Sequence, residues 1–190
     1  MDAKVDDTFA FPDTSIPQAP FLVLGLGNVL IEDEGVGIAA LEYLHQYYEM
    51  PEDVELFDGG TSGMSLLDDI RGRKTLIVLD AVRTGNPPGS VVVLKDDEVP
   101  AFFRSKVSPH QMALSDVLAV LTLSNEKPEN IIVIGVEPIS LKTHMGLSPK
   151  VAAQLETMVH KVIEHIEQEG YTVERLSEKK NQPFTFMPSA

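Results

Sequence analysis

The chain has 190 residues, 43% of them hydrophobic and 23% charged, enough for one domain with a substantial core and a squeeze for two. A net charge of −14 argues against nucleic acid or an anionic membrane surface as partner and favours a basic or metal-bearing one. The absence of cysteine excludes a disulfide framework, a thiol nucleophile and a thiolate metal site, so any metal is left to Asp, Glu, His or backbone oxygens.

Residues 1–20, with Pro12, Pro17 and Pro20, read as a flexible leader, 21–176 as a single α/β domain and 177–190 as a flexible tail. The first 19 residues carry acids and prolines and do not have the basic start and apolar run of a secretory signal, and no later run is long enough to span a bilayer. A soluble, cytoplasmic protein is expected, and a monomer, given the acidic surface. Phe21 to Leu26 is a short apolar run ending in glycines, and Val36, Ala40, Leu41 and Leu44 recur at helical spacing, which predicts a strand followed by an amphipathic helix. Val54 to Phe57 predicts a second strand ending at Asp58-Gly59-Gly60, then a helix from about Ser62 that uses Met64, Leu66, Leu67 and Ile70. Thr75 to Leu79, nearly all apolar, predicts a strand buried on both faces. Ser90 to Leu94 follows the Pro87-Pro88-Gly89 turn and is placed antiparallel at an edge. Helices over His110 to Leu123 and Pro149 to Glu169, with a strand over Ile131 to Val136 between them, complete an alternating order. Such alternation with short links predicts a three-layer α/β/α fold around a mostly parallel sheet of roughly five strands.

In an open α/β sheet the working site lies beyond the carboxyl ends of the strands. Asn28 and the pair Asp33-Glu34 follow the first strand, Asp58 ends the second, Asp80 the third, Glu137 follows the fifth, and His110 stands where a loop enters a helix. Two carboxylates and one imidazole drawn from Asp33-Glu34, Asp80 and His110 suit a divalent ion of hard to borderline character. Each has a plainer explanation when taken alone. Acids at a helix start complement its dipole, Asp80 can turn the chain through backbone hydrogen bonds, and His110 after Pro109 can cap a helix. Their coincidence at one edge favours a site. Asp58 reads either as a turn residue or as an acid that orients the site from behind.

Other signatures fail. Gly25 and Gly27 suggest a phosphate-binding turn, but Leu30 stands where a dinucleotide fingerprint has its third glycine, and Glu32, Asp33 and Glu34 would repel a pyrophosphate. His160 and His165 are five apart, a rotation of about 140° on a helix, and cannot share a face as a zinc pair. Val151, Leu155, Val159, Val162 and Ile166 read as the core stripe of that helix, His45 as a surface position, and His144 as a loop residue within reach of the site. Gly60-Thr61-Ser62-Gly63-Met64 lacks the second glycine of a nucleophile elbow, which leaves metal assistance as the familiar route for a hydrolase.

Gly25-Leu26-Gly27-Asn28-Val29-Leu30, Asp33-Glu34-Gly35-Val36-Gly37, Asp58-Gly59-Gly60-Thr61, Asp80-Ala81 and Ser108-Pro109-His110-Gln111, in that order between Phe21 and about Glu174, resemble the hydrogenase maturation endopeptidases. The resemblance implies an enzyme that removes a C-terminal extension from the nickel-loaded precursor of a nickel-iron hydrogenase large subunit. It also implies that Glu34, Asp80 and His110 are the three metal ligands, with Asp58 in a supporting catalytic role. The ion would be nickel supplied by the precursor, and zinc or cadmium would serve as a surrogate in the same set. A non-proteolytic nickel-binding maturation chaperone using the same trio stands as the alternative, as does a small-molecule hydrolase or nucleotide-binding enzyme on the same architecture.

Overall fold

The computed structural model describes residues 18–96, 98–99, 109–182 and 184, without the side chains of 109–113. In chain order the elements begin with β1 (Phe21–Leu26), a 3-10 turn (Glu32–Gly35) leading into α1 (Val36–Tyr47), β2 (Tyr48–Glu49) and β3 (Val54–Gly60). A second 3-10 turn (Met64–Leu66) leads into α2 (Leu67–Ile70), followed by β4 (Thr75–Ala81), β5 (Val91–Lys95) and α3 (Pro109–Leu123). The remainder is β6 (Asn130–Val136), α4 (Pro149–Ala152), α5 (Leu155–Gln168) and β7 (Glu174–Arg175).

β1 is apolar throughout and β4 is apolar from Leu76 to Leu79 because both faces of each are covered, and every residue of both, Thr75 and Asp80 included, is buried. They sit at the centre of a five-stranded sheet of order β3-β1-β4-β6-β5, all parallel except β5, which closes the edge antiparallel to β6. Successive side chains point to opposite faces, so two cores result. Phe21, Val23, Ile77, Leu79, Ile132 and Ile134 meet α1 and α5 on one face. Leu22, Leu24, Leu76, Val78, Ile131 and Val133 meet Leu66, Ile70 and the α3 residues Leu114, Val117, Leu118 and Leu121 on the other. Each such side chain taken from water contributes about 1.5–3 kcal/mol, which makes this layering the main source of stability. The three-layer fold and the mostly parallel five-stranded sheet are those expected from the sequence.

Several local expectations change. The helix expected over Pro149 to Glu169 is divided into α4 and α5, where Gln154 donates its N–H three residues back to Val151 and breaks the helical ladder. In the stripe, Leu155 is only half-buried and Met158 joins Val159 in the core. Met64 is exposed rather than packed. β3 and β4 run past their expected ends, so Asp58 and Asp80 lie inside strands, and a bulge between Gly25 and Leu26 leaves Gly59 out of the register. The two-residue strands β2 and β7 pair antiparallel as a small separate ribbon.

The described residues of both flanks bond to the domain. Gln18 donates to the Asp68 carbonyl at 2.9 Å, and the Pro20 carbonyl accepts the Lys74 and Thr75 N–H groups. Beyond residue 176, Lys180 donates its N–H to Gln46 O and pairs its ammonium with Glu49 at 2.7 Å, while Phe184 meets the His45 ring edge to face at 5.2 Å. His45 is therefore half-buried and not the surface residue expected.

Candidate functional site at the carboxyl edge of the sheet

Two glycines bring the first strand-end loop onto the central strands. Gly27 turns the chain at φ +128°, and a Cβ there would overlap the Glu34 carbonyl oxygen, so only glycine lets the Glu32–Gly35 turn fold back on the end of β1. The loop is closed by Asn28, whose carbonyl accepts Ile31 N–H at 3.0 Å and whose side-chain Oδ1 accepts Leu30 N–H at 3.0 Å. Gly37, in the first turn of α1, rests on backbone: a Cβ would overlap the carbonyl oxygens of Leu26 and Leu79. Leu79 directly precedes Asp80. The glycine pattern that resembles a phosphate loop thus serves to seat the Glu34 turn on the strand end that carries Asp80.

Asp80 is 1% exposed, faces Gly135 across the ladder to β6, and accepts the Ala81 N–H on Oδ1 at 2.8 Å. Glu34 is half-buried on the 3-10 turn, which contacts β4. His110 is the second residue of α3, and its side chain lies outside the described residues. Its backbone position follows from topology. Just past the far end of α3, Glu126 O accepts Gly72 N–H at 2.9 Å, and Asn130 N–H then bonds Lys74 O at 3.1 Å, both at the amino edge of the sheet. A helix of 15 residues spans about 22 Å, the height of the sheet, which carries His110 to the Asp80 edge. Among the described residues alone, no three His, Asp or Glu side chains form a metal-holding group.

Asp58, on β3, is half-buried and accepts Gly60 N–H on Oδ1 at 2.9 Å, as a turn residue would. It also lines a cavity of about 210 Å³ together with Gly27, Asn28, Val29 and Thr61, and a larger one of about 380 Å³ towards Ser62, Ser65 and Asp69. Burial pushes its carboxyl above the ordinary value, against the opposing pull of the Gly60 hydrogen bond.

Three residues have roles that spacing did not reveal. Asp33, read with Glu34 as one acidic helix start, is fully buried and turned inward, where it accepts bonds from Ile139, Ser140 and Ser148. Burial works to raise its carboxyl, but the hydrogen bonds outweigh it and hold the group below the ordinary value. Nothing in the local pattern distinguishes Asp33 from Glu34; only the position of the distant loop does. Glu137 does not face the site as a free acid: it accepts both the N–H and the hydroxyl of Thr84, at 2.7 and 2.9 Å, and so secures the loop between β4 and β5. His144 is exposed, and its backbone is bridged to Ile31 beside the Glu34 turn. His160 is exposed, and His165 is half-buried with its imidazole pushed down by that burial.

Comparison with known proteins adds an independent line. A family model described as hydrogenase maturation protease (HycI) matches residues 38–165. The chain is similar to the hydrogenase 2 maturation protease of Escherichia coli (strain K12), with 45% identity over 150 residues, 78% of this chain and 92% of that one. It is also similar to the hydrogenase expression/formation protein HupD of Thiocapsa roseopersicina, at 38% identity over 81% of this chain and 71% of that one. Among solved structures, the hydrogenase maturating endopeptidase HybD from E. coli superposes with a TM-score of 0.78 at 43% identity, over 84% of this chain and 97% of that one.

Proposed function

The chain belongs to the hydrogenase maturation protease family, and from that premise we propose how its sheet edge works. In this reading the protein cuts the C-terminal extension from the nickel-loaded precursor of a nickel-iron hydrogenase large subunit. Glu34, Asp80 and His110 read the nickel that the precursor carries. The observation that supports this most is the seating of the Glu34 turn, through Gly37, on the end of the strand that bears Asp80, with the helix of His110 starting at the same edge.

Two carboxylates and an imidazole hold a borderline divalent ion and leave coordination positions for ligands that the precursor brings. Nickel binds such a set more strongly than manganese or iron, and zinc or cadmium would occupy it as a surrogate. A precursor without its ion makes no such contact, which is how the site would tell a finished metal centre from an empty one. Hydrolysis then requires a water to add to the carbonyl carbon, the C–N bond to break, and a proton to reach the departing amine. Asp58, lining the adjoining cavity with its carboxyl raised by burial, is the acid suited to that proton exchange. The net charge of −14 fits a basic or metal-bearing partner. No described helix is long and apolar enough to cross a membrane, and we place the protein in the cytoplasm as a monomer.

The test is a processing assay on purified large-subunit precursor, nickel-loaded or nickel-free, read by mass spectrometry of its C-terminus. Shortening of the loaded form alone is expected. A competent loaded precursor left intact would favour the maturation chaperone.

A further inference from the structure

Asp33 adjoins Glu34 but is turned away from it and into the fold. Its Oδ1 accepts Ser148 N–H at 2.7 Å, and its Oδ2 accepts Ile139 N–H at 2.9 Å, Ser140 N–H at 3.0 Å and the Ser148 hydroxyl at 3.0 Å. The Asp33 N–H returns a bond to Ser140 O at 3.2 Å. On the outer side of the same turn, His144 N–H bonds Leu30 O at 3.0 Å and Glu32 N–H bonds His144 O at 2.8 Å. The loop between β6 and α4 is therefore fastened to the Glu34 turn from inside and from outside. The inner fastening is a single carboxylate that only donors approach, and an amide in its place would turn an NH2 against one set of them.

This loop presents apolar side chains outward beside the exposed Lys142, Thr143 and His144. Ile139 is 46% exposed and Met145 71%, and across the fastening Val29 and Leu30 are 47% and 54% exposed. Single exposed apolar side chains need no explanation, but these stand on two loops bonded to each other. One of them adjoins the candidate site. Val29 lines the cavity that holds Asn28 and Asp58, and on its other side the shallow cavity bounded by Gly146 and Leu147.

We propose that Asp33 is a positioning residue for substrate recognition: it holds the 138–147 loop against the Glu34 turn, so that Ile139 and Met145 meet the apolar part of the precursor's C-terminal segment while the neighbouring carboxylates meet its ion. The proposal rests on the processing function given above and adds the element that grips the polypeptide.

The experiment measures KM and kcat for nickel-loaded precursor with the parent chain and with Ser148→Ala, Asp33→Asn, Met145→Ser and Arg73→Met. Losing apolar contact made equally in ground and transition states raises KM and leaves kcat unchanged. Met145→Ser, on the surface, is expected to raise KM on the order of tenfold with an unaltered melting temperature. Ser148→Ala and Asp33→Asn are expected to raise KM as well. Arg73→Met breaks the pair between the buried Arg73 and the partly exposed Glu55 (2.7 Å) at the opposite edge of the sheet, and should lower the melting temperature while leaving KM alone. Should Asp33→Asn fail to fold, Ser148→Ala and Met145→Ser carry the test. Unchanged KM in both of these, or an equal rise in Arg73→Met, overturns the positioning role. A parent chain that leaves the loaded precursor uncut overturns the processing function, and this inference with it.

Discussion

Replacing Gly37 by alanine is expected to destabilise the protein by about 2 kcal/mol, although the residue lies in a helix, where alanine ordinarily gains about 1 kcal/mol over glycine. The new Cβ would overlap the carbonyl oxygens of Leu26 and Leu79 and stand 2.8 Å from the Leu79 carbonyl carbon. Those atoms are backbone in the two central strands, each held by parallel ladders on both sides, so they do not yield. α1 must lift instead, and it carries Val36, Ala40, Leu41 and Leu44, all at 0% exposure. Overpacking of this kind costs about 1–3 kcal/mol and more where the neighbour is rigid, which exceeds the helical gain. In a chain of this size the net loss lowers the melting temperature by roughly 4–8 °C. Thermal melting followed by circular dichroism, checked by urea titration, reads it. Gly72→Ala is the control: nothing lies within 4 Å of its Cβ, so only the strain of its φ of +68° remains, about 1 kcal/mol. If Gly37→Ala melts at or above the parent temperature, the close approach is not what seats α1, and the account of how Glu34 reaches the Asp80 strand end fails with it.

Asp80→Asn and Glu34→Gln preserve shape and remove a charged ligand. Processing of loaded precursor should fall by more than about a hundredfold while melting stays within a few degrees of the parent, and retained processing in either would remove that residue from the site. Asp33 has its folded-state value below the ordinary 3.8, so the stability it contributes is complete above that value and is lost as pH falls through the folded one. Ser148→Ala removes one of the bonds responsible, so the parent's advantage over it in acid-unfolding titrations should shrink as pH falls below 3.8; a difference that stays constant through the whole acid-unfolding transition would contradict this. Thr84→Val deletes the hydroxyl bond to Glu137 and keeps the N–H bond, so a loss of about 1 kcal/mol in urea titrations is expected with unchanged processing. A loss of processing at full stability would instead give Glu137 a part in the chemistry.

The alternation of apolar runs and helical stripes was enough to order the elements, because a strand covered on both faces must be largely apolar, as β1 is and as β4 is from Leu76 to Leu79, and a helix on one face must carry a stripe, as α1 and α5 do. The motif series was enough to indicate the family, since five short segments in fixed order are specific where each alone is not. Local rules also placed Asp58 and Asp80 near strand ends, and they erred only over how far the strands continue. Asp33 and Glu34 could not be told apart in this way. They are adjacent acids of similar propensity, and what separates them is a loop more than a hundred residues on whose N–H groups converge on one carboxylate. Gly37 likewise reads as a helix weakness until the carbonyls of two strands are seen beneath it. The ribbon of β2 with β7 and the docking of Lys180 and Phe184 on α1 depend on which surfaces the finished core leaves adjacent. Periodicity and motif are properties of neighbours in sequence and determine elements, order and family. Which acid turns inward, and which glycine must stay, are decided by contacts between distant segments that exist only once the sheet has assembled.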